Sequence, residues 1–202
     1  MNLKEINLNE RDGPIPKNYR YVPIIEQKGC CIAACISMIM LKHRIPLVPQ
    51  ELLFDKLGIS TLPHPAIKKV FWNPSKPECW CAGKQSEEKR INKALGDLHI
   101  PLSMRIISLN QLVDPRSYLK KIENRDWDVL AAFNYSMLYE KRPGDYNHVS
   151  VIDRVDLKRN EVRLVDPIQT EESSVWRVVR IEKLLRAIKC YNYFGGFWKF
   201  GK

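Results

Sequence analysis

Four side chains of this sequence could cooperate in acyl chemistry. Cys31 lies in the run Gln27-Lys28-Gly29-Cys30-Cys31-Ile32-Ala33-Ala34-Cys35-Ile36-Ser37-Met38-Ile39-Met40-Leu41. A cysteine attacks as its thiolate. Its ordinary pKa of about 8.5 falls by several units at a helix N-terminus or beside a histidinium. The first turn of a helix also carries backbone N–H groups without intrahelical acceptors, and these can receive a developing oxyanion. Gln27, just upstream, offers a side-chain amide as a second donor. Cys30 is the neighbouring alternative nucleophile, and helix register favours Cys31.

A thiol nucleophile needs a base, and the base needs a third group to fix its tautomer. Of the four histidines, His43 follows the apolar run, about 18 Å along a helix from Cys31. His64 sits among prolines, and His99 follows a polar helical stretch. His148 opens the strand-like Asn147-His148-Val149-Ser150-Val151-Ile152, where a side chain can be held rigidly. Asp166 closes the next strand, in Leu164-Val165-Asp166-Pro167. The turn-like Lys158-Arg159-Asn160 lies near the midpoint of His148 and Asp166. An antiparallel hairpin would therefore bring both to one end of its ladder. Whether they share a face depends on the register at the turn.

These residues need elements to hold them. Residues 1–20, broken by Asp12-Gly13-Pro14 and Pro16, read as a loose arm, and residues 21–202 as a single domain. A helix from about Cys30 to Lys42 is apolar nearly all round, the pattern of a helix buried inside a domain. Lys42, His43 and Arg44 suit its C-terminal dipole. A short helix from Gln50 to Leu57 ends at Gly58. Residues 60–84 form a proline-rich excursion holding Trp72, Cys79, Trp80 and Cys81. Ser86 caps a helix running to about Leu98, a strand covers Leu102 to Leu109, and Asp114-Pro115 starts another helix. Strands then follow at Asp128–Phe133, His148–Val155, Val162–Val165, Val175–Val179 and Phe194–Phe200, with a helix from Ile181 to Lys189. Helices dominate the part up to about 125 and strands the part from about 126, so the class is α+β.

Composition narrows the function. The chain has 202 residues, 45 % of them apolar, which is enough for a core of its own. The net charge of +10 is spread along the chain without a basic run or zinc-finger spacing, so specific nucleic-acid binding is not expected. The N-terminus has no apolar signal core, and the Ile32–Leu41 run is about half the length of a membrane span. A cytoplasmic location is expected, with the six cysteines as thiols. Cys79 and Cys81 are separated by one residue, closer than zinc ligands usually stand. No metal and no organic cofactor is expected.

The segment Cys31-Ile32-Ala33-Ala34-Cys35-Ile36-Ser37-Met38-Ile39 resembles the nucleophile helix of papain-like cysteine peptidases, nearest the group that trims double-glycine leader peptides. His148 with Val149-Ser150-Val151-Ile152 resembles the family's histidine strand, and Val165-Asp166-Pro167 its partner motif. The resemblance covers about 22–41 and 147–167. It implies a central nucleophile helix packed on a C-terminal antiparallel sheet. It also implies a Cys-His-Asp triad working through an acyl-enzyme on a peptide or protein substrate, with Gln27 as the oxyanion glutamine. The family usually places that glutamine six residues before its cysteine, whereas Gln27 stands four before Cys31. The same triad could instead transfer the acyl group to an amine or thiol, as in transglutaminases and phytochelatin synthases. An inert binding module with a basic surface is the non-enzymatic alternative.

Overall fold

The structure is a computed structural model that describes residues 16, 18–27, 30–58, 87–139, 147–168, 175–191 and 195–202. The expected excursion with His64, Trp72, Cys79, Trp80 and Cys81, and the Ser86 cap, lie outside these residues.

Six strands form one sheet: β1 (Ser103–Ser108), β2 (Asp128–Asn134), β3 (Asn147–Asp156), β4 (Glu161–Val165), β5 (Trp176–Arg180) and β6 (Gly196–Gly201). Their spatial order is β1-β6-β2-β3-β4-β5, and every neighbouring pair is antiparallel. Period-two alternation divides the side chains of the central strands between two cores. Leu130, Ala132, Val149, Val151, Trp198 and Phe200 face one side, while Val129, Ala131, Phe133, Ile152 and Phe197 face the other. The first core is closed by helices α1 (Cys31–Lys42), α2 (Gln50–Lys56) and α3 (Glu87–Asp97). The second is closed by α4 (Pro115–Arg125), α5 (Tyr135–Tyr139) and α6 (Ile181–Lys189). With both faces covered, β2 is buried along its whole length, which explains its continuous apolar run.

Helix α1 is the innermost helix. Every residue from Ile32 to Met40 is buried, in keeping with a sequence that has no polar stripe. Burying each of Ile36, Met38, Ile39 and Met40 contributes roughly 2 kcal/mol of gross transfer energy. The Cys35 thiol donates to the Val149 carbonyl at 3.6 Å, which ties the helix to β3. At the C-terminal end Lys42 reaches Asp126 and Asp128 at 3.1 and 2.8 Å, and His43 Nε2 meets Asp128 Oδ2 at 2.5 Å. The cationic end read from Lys42 and His43 is therefore neutralised by specific carboxylates. Gly58 takes φ 73° after α2, as a C-cap glycine should. Asp114 caps α4 through the Arg116 and Ser117 amides at 2.9 and 3.2 Å, with Pro115 in the first turn.

Three features depart from the sequence reading. Strand β1 falls where a strand was expected, but in the mainly helical part of the sequence, and its pairing with β6 at the sheet edge is new. Helices α4 to α6 cover the second face, so the sheet lies between two helical layers. Residues Asn18 and Arg20, assigned to a loose arm, are anchored. Arg20 N–H donates to Asp153 Oδ1 at 2.7 Å, and Arg163 donates to Asn18 Oδ1 at 3.1 Å.

Candidate active site

Cys31 is the first residue of α1 and is half-buried. Just before it, the Cys30 N–H donates to the Gln27 carbonyl at 2.7 Å. The helix dipole and the first-turn N–H groups point at this end, which favours an anion on the sulfur or on a bound carbonyl. Its neighbour differs sharply. Cys30 is 0 % exposed, and burial, with the Glu26 charge adding to it, pushes its thiol up to about 12. Cys35 is also buried and is held well above its ordinary value, chiefly by desolvation. Of the three clustered thiols, only Cys31 combines access with a polar neighbourhood.

His148 stands near the start of β3, paired with Phe133 of β2. The Phe133 and Tyr135 rings meet the imidazole edge-on, with centroids 5.7 and 5.5 Å away and interplanar angles of 79° and 89°. This aromatic corner sets the ring plane. Nε2 donates to Asp166 Oδ1 at 2.8 Å, which leaves Nδ1 as the nitrogen for other work. One ring nitrogen, the Cys31 sulfur and a Glu26 carboxylate oxygen all lie within 4.8 Å of one another. Burial would drive the imidazolium's pKa down. The Asp166 charge and hydrogen bond outweigh it, helped by the hydrogen bond and charge of Cys31, and hold it at about 10. His148 is therefore an imidazolium at neutral pH.

Asp166 reaches the ring because of a register shift. Beyond the turn, Asp156 pairs with Glu161, Val155 with Val162 and Arg154 with Arg163. After a bulge between Ile152 and Arg154, Ile152 pairs with Leu164 and Val151 with Val165. One step further, Asp166 falls opposite Ser150 and diagonal to His148, on the same face. Without the bulge it would fall opposite Val151, on the other face. The bulge residue, Asp153, is fully buried. Its carboxylate receives the Arg20 N–H and both Arg163 Nε and Nη2 at 2.6 Å, while Arg20 Nε donates to its carbonyl. Asp166 itself is anchored by the Tyr139 hydroxyl at 3.1 Å, Arg177 Nε at 3.1 Å and the Ile168 N–H at 3.0 Å. Desolvation opposes its charge, but His148, Arg177 and the Ile168 amide keep its pKa below the usual value. Arg177 is itself stacked over the Tyr139 ring, 4.4 Å from the centroid.

The structure thus brings Cys31, His148 and Asp166 together. It does not bring Gln27 to them. Gln27 is exposed, its amide donates to Glu51 Oε1 on α2 at 2.5 Å, and its backbone N–H donates to Gln50 Oε1 at 3.1 Å. In an extended segment neighbouring side chains point opposite ways, so the residue that faces the thiol is Glu26. The Glu26 N–H donates to the Pro167 carbonyl at 2.9 Å, which fixes this segment beside Asp166. Beside the thiol, where an amide was expected, a carboxylate oxygen lies within 4.8 Å of the sulfur. The spacing held a clue, because Glu26 stands five residues before Cys31, nearer than Gln27 to the six of the resembling family. Tyr139 and Arg177 were also missed. Neither lies near the three residues in sequence, and only the sheet order reveals them.

In fold, the chain is similar to a C39-like peptidase from Bacillus anthracis, with a TM-score of 0.53 and 16 % identity over 90 % of this chain and 94 % of that one. It also matches the peptidase domain of Streptococcus ComA, a bifunctional ABC transporter involved in a quorum-sensing pathway. That match has a TM-score of 0.46 and 13 % identity over 91 % and 96 % of the two chains. No family profile and no curated protein sequence matches. The α+β, papain-like fold expected from the sequence is the fold observed. Among the described residues no helix is long and apolar enough to cross a membrane.

Proposed function

We propose that this chain is a papain-like cysteine hydrolase acting on a peptide or related amide through a Cys31-His148-Asp166 triad. The Cys31 thiolate, paired with the His148 imidazolium, attacks the carbonyl carbon and forms a C–S bond. The oxyanion is received by the N–H groups that open α1. As the tetrahedral adduct collapses, the C–N bond breaks and the leaving amine takes the His148 proton. An S-acyl enzyme remains. Neutral His148 then removes a proton from water, which attacks the thioester and releases the acid and the thiolate. Asp166 holds the ring through Nε2 throughout, so that Nδ1 serves the thiol and the leaving group.

One observation carries this proposal: the Cys31 sulfur and a His148 ring nitrogen lie within 4.8 Å, while the ring's Nε2 is fixed by a buried carboxylate. Loosened catalytic contacts of this kind are ordinary in an empty site. The test is labelling by a peptidyl acyl electrophile with the modified residue located by mass spectrometry. Cys31→Ala should abolish labelling and Cys30→Ala should preserve it. The reverse pattern would move the nucleophile to Cys30, and labelling of neither would end the enzyme proposal.

Glu26 favours a second outcome for the acyl group. A carboxylate beside the thioester can hold an incoming ammonium or accept its proton, so an amine could replace water as acceptor. Product analysis with and without an added primary amine separates hydrolysis from transfer.

A further inference from the structure

Glu26, Cys31 and His148 present three different donor atoms to one point: a carboxylate oxygen, a sulfur and an imidazole nitrogen, all within 4.8 Å of one another. Peptide-bond chemistry does not require the first of these. We infer that this cleft is a binding site for a borderline-soft divalent transition metal ion, Zn²⁺ above all, and that the bound ion shuts the nucleophile off.

Donor chemistry comes first. Thiolate, imidazole and carboxylate are the ligands zinc prefers, at about 2.3 Å for sulfur and about 2.0–2.2 Å for nitrogen and oxygen. A tetrahedral ion with those bonds holds its ligand atoms roughly 3.5 Å apart, so closure from 4.8 Å needs about 1 Å of side-chain movement. Magnesium and calcium, which favour all-oxygen shells, have no matching set here.

Support behind the ligands is the second argument. A metal-bound histidine almost always donates its other ring N–H to a carboxylate or carbonyl, which fixes the tautomer and raises the ring's basicity. His148 does this already: Nε2 donates to Asp166 Oδ1, and Asp166 is held by Tyr139, Arg177 and the Ile168 amide. Nδ1 is thereby directed to the cleft as the ligating atom. Glu26 is held at the other side by its backbone bond to Pro167. The ion would enter as the imidazolium releases its proton to solvent. Cys31 and Glu26 would bind as anions, so the three-ligand complex carries no net charge. A fourth position is left for water. Cys31 and Glu26 are half-buried rather than sealed, which leaves a path for the ion.

The inhibitory consequence rests on the thiol chemistry proposed above, whereas the coordination does not. A zinc-bound sulfur gives electron density to the ion and is a much weaker nucleophile, and the His148 nitrogen that would carry the proton is occupied by the metal.

The experiment has two arms on the full chain. In the first, Co²⁺ replaces Zn²⁺ as a spectroscopic probe. One equivalent should bind with a thiolate-to-cobalt charge-transfer band and intense tetrahedral d–d bands. The charge-transfer band should vanish in Cys31→Ala, and Glu26→Gln should weaken Co²⁺ binding, read by titrating that band, by at least the roughly 10-fold that losing even a supporting hydrogen-bond partner of a ligand costs. In the second, Cys31 alkylation is followed with chelator and with buffered Zn²⁺, and protection should appear at the zinc concentration that displaces cobalt. Absence of the thiolate band, or unchanged Co²⁺ affinity in Glu26→Gln, would overturn the metal site. If Cys31 acylates readily in chelator while cobalt shows no thiolate band, the metal inference fails alone. If the band appears while no acyl electrophile ever modifies Cys31, the metal site stands and the hydrolase proposal fails.

Discussion

Replacing Glu26 by glutamine should make acylation faster. In the proposed mechanism the negative charge starts on the Cys31 sulfur, within 4.8 Å of the Glu26 carboxylate. At an effective dielectric of about 20, that repulsion is about 3.5 kcal/mol. In the transition state the charge moves to the carbonyl oxygen, on the side where an oxyanion donor normally stands. With the oxyanion formed about 3 Å from an ionised Glu26 the repulsion would be about 5.5 kcal/mol, which would raise the barrier by about 2 kcal/mol. Glutamine removes this penalty and adds an amide donor. The charge effect alone corresponds to about a 30-fold gain, and the donor can extend it toward 100-fold. The assay is the rate of acylation by a peptidyl p-nitrophenyl ester in chelator, beside the rate of alkylation by iodoacetamide. Only the ester passes through an oxyanion, so its rate should rise and the alkylation rate should change little. An ester rate that is unchanged or lower in a folded Glu26→Gln protein would refute the placement of Glu26 at the oxyanion position. A parallel rise in both rates would show an effect on the sulfur instead.

Further outcomes follow from the buried charges. His148 is held at about 10 in the fold against an ordinary 6.5, so its contribution to stability is complete below about pH 6.5 and is lost as the pH rises toward 10. Asp166 acts in the opposite direction, its contribution being present above its ordinary 3.8 and lost as pH falls below it. Urea unfolding from pH 6 to 10 should therefore show a decline of up to about 1.4 kcal/mol per pH unit, flattened in Asp166→Asn. Glu87, 2 % exposed in the first turn of α3, is raised by burial to about 9 despite Arg90. The wild type should lose stability between its ordinary 4.5 and about 9, and Glu87→Gln should gain on it progressively over that range in thermal melts. Asp153→Ala leaves Arg163 buried without its carboxylate and should cost about 3–5 kcal/mol by urea unfolding.

Much of the fold was legible because local and global preferences agree. The apolar Ile32–Met40 run forms a helix that is buried on all sides, and Asp114-Pro115 caps a helix as its chemistry dictates. That Cys31, His148 and Asp166 would meet was legible because each sits at the end of an element, where side chains converge. What escaped depended on tertiary pairing. Strand β1 is too far in sequence from β6 for its partnership to be read locally. Tyr135–Tyr139 is a single helical turn whose aromatic residues look like strand. Which of Glu26 and Gln27 faces Cys31 turns on the direction of one extended residue, and the carboxylate within 4.8 Å of the sulfur is that of Glu26, whose N–H is bonded to Pro167. No periodicity in the sequence announces that bond.

The bulge at Asp153 sets a phase. Counting outward from the turn at Lys158–Asn160, β3 uses one residue more than β4 before it reaches His148. Side chains alternate above and below the ladder, so taking that surplus residue up as an unpaired bulge decides whether the imidazole and its carboxylate meet or stand back to back. Chain length between 148 and 166 is therefore held more tightly than chemistry. Many single replacements there would leave the parity intact, whereas excising one of residues 149–151, with the bulge kept, would invert it while the strands still paired. A folded yet inert protein is the signature such a deletion would leave.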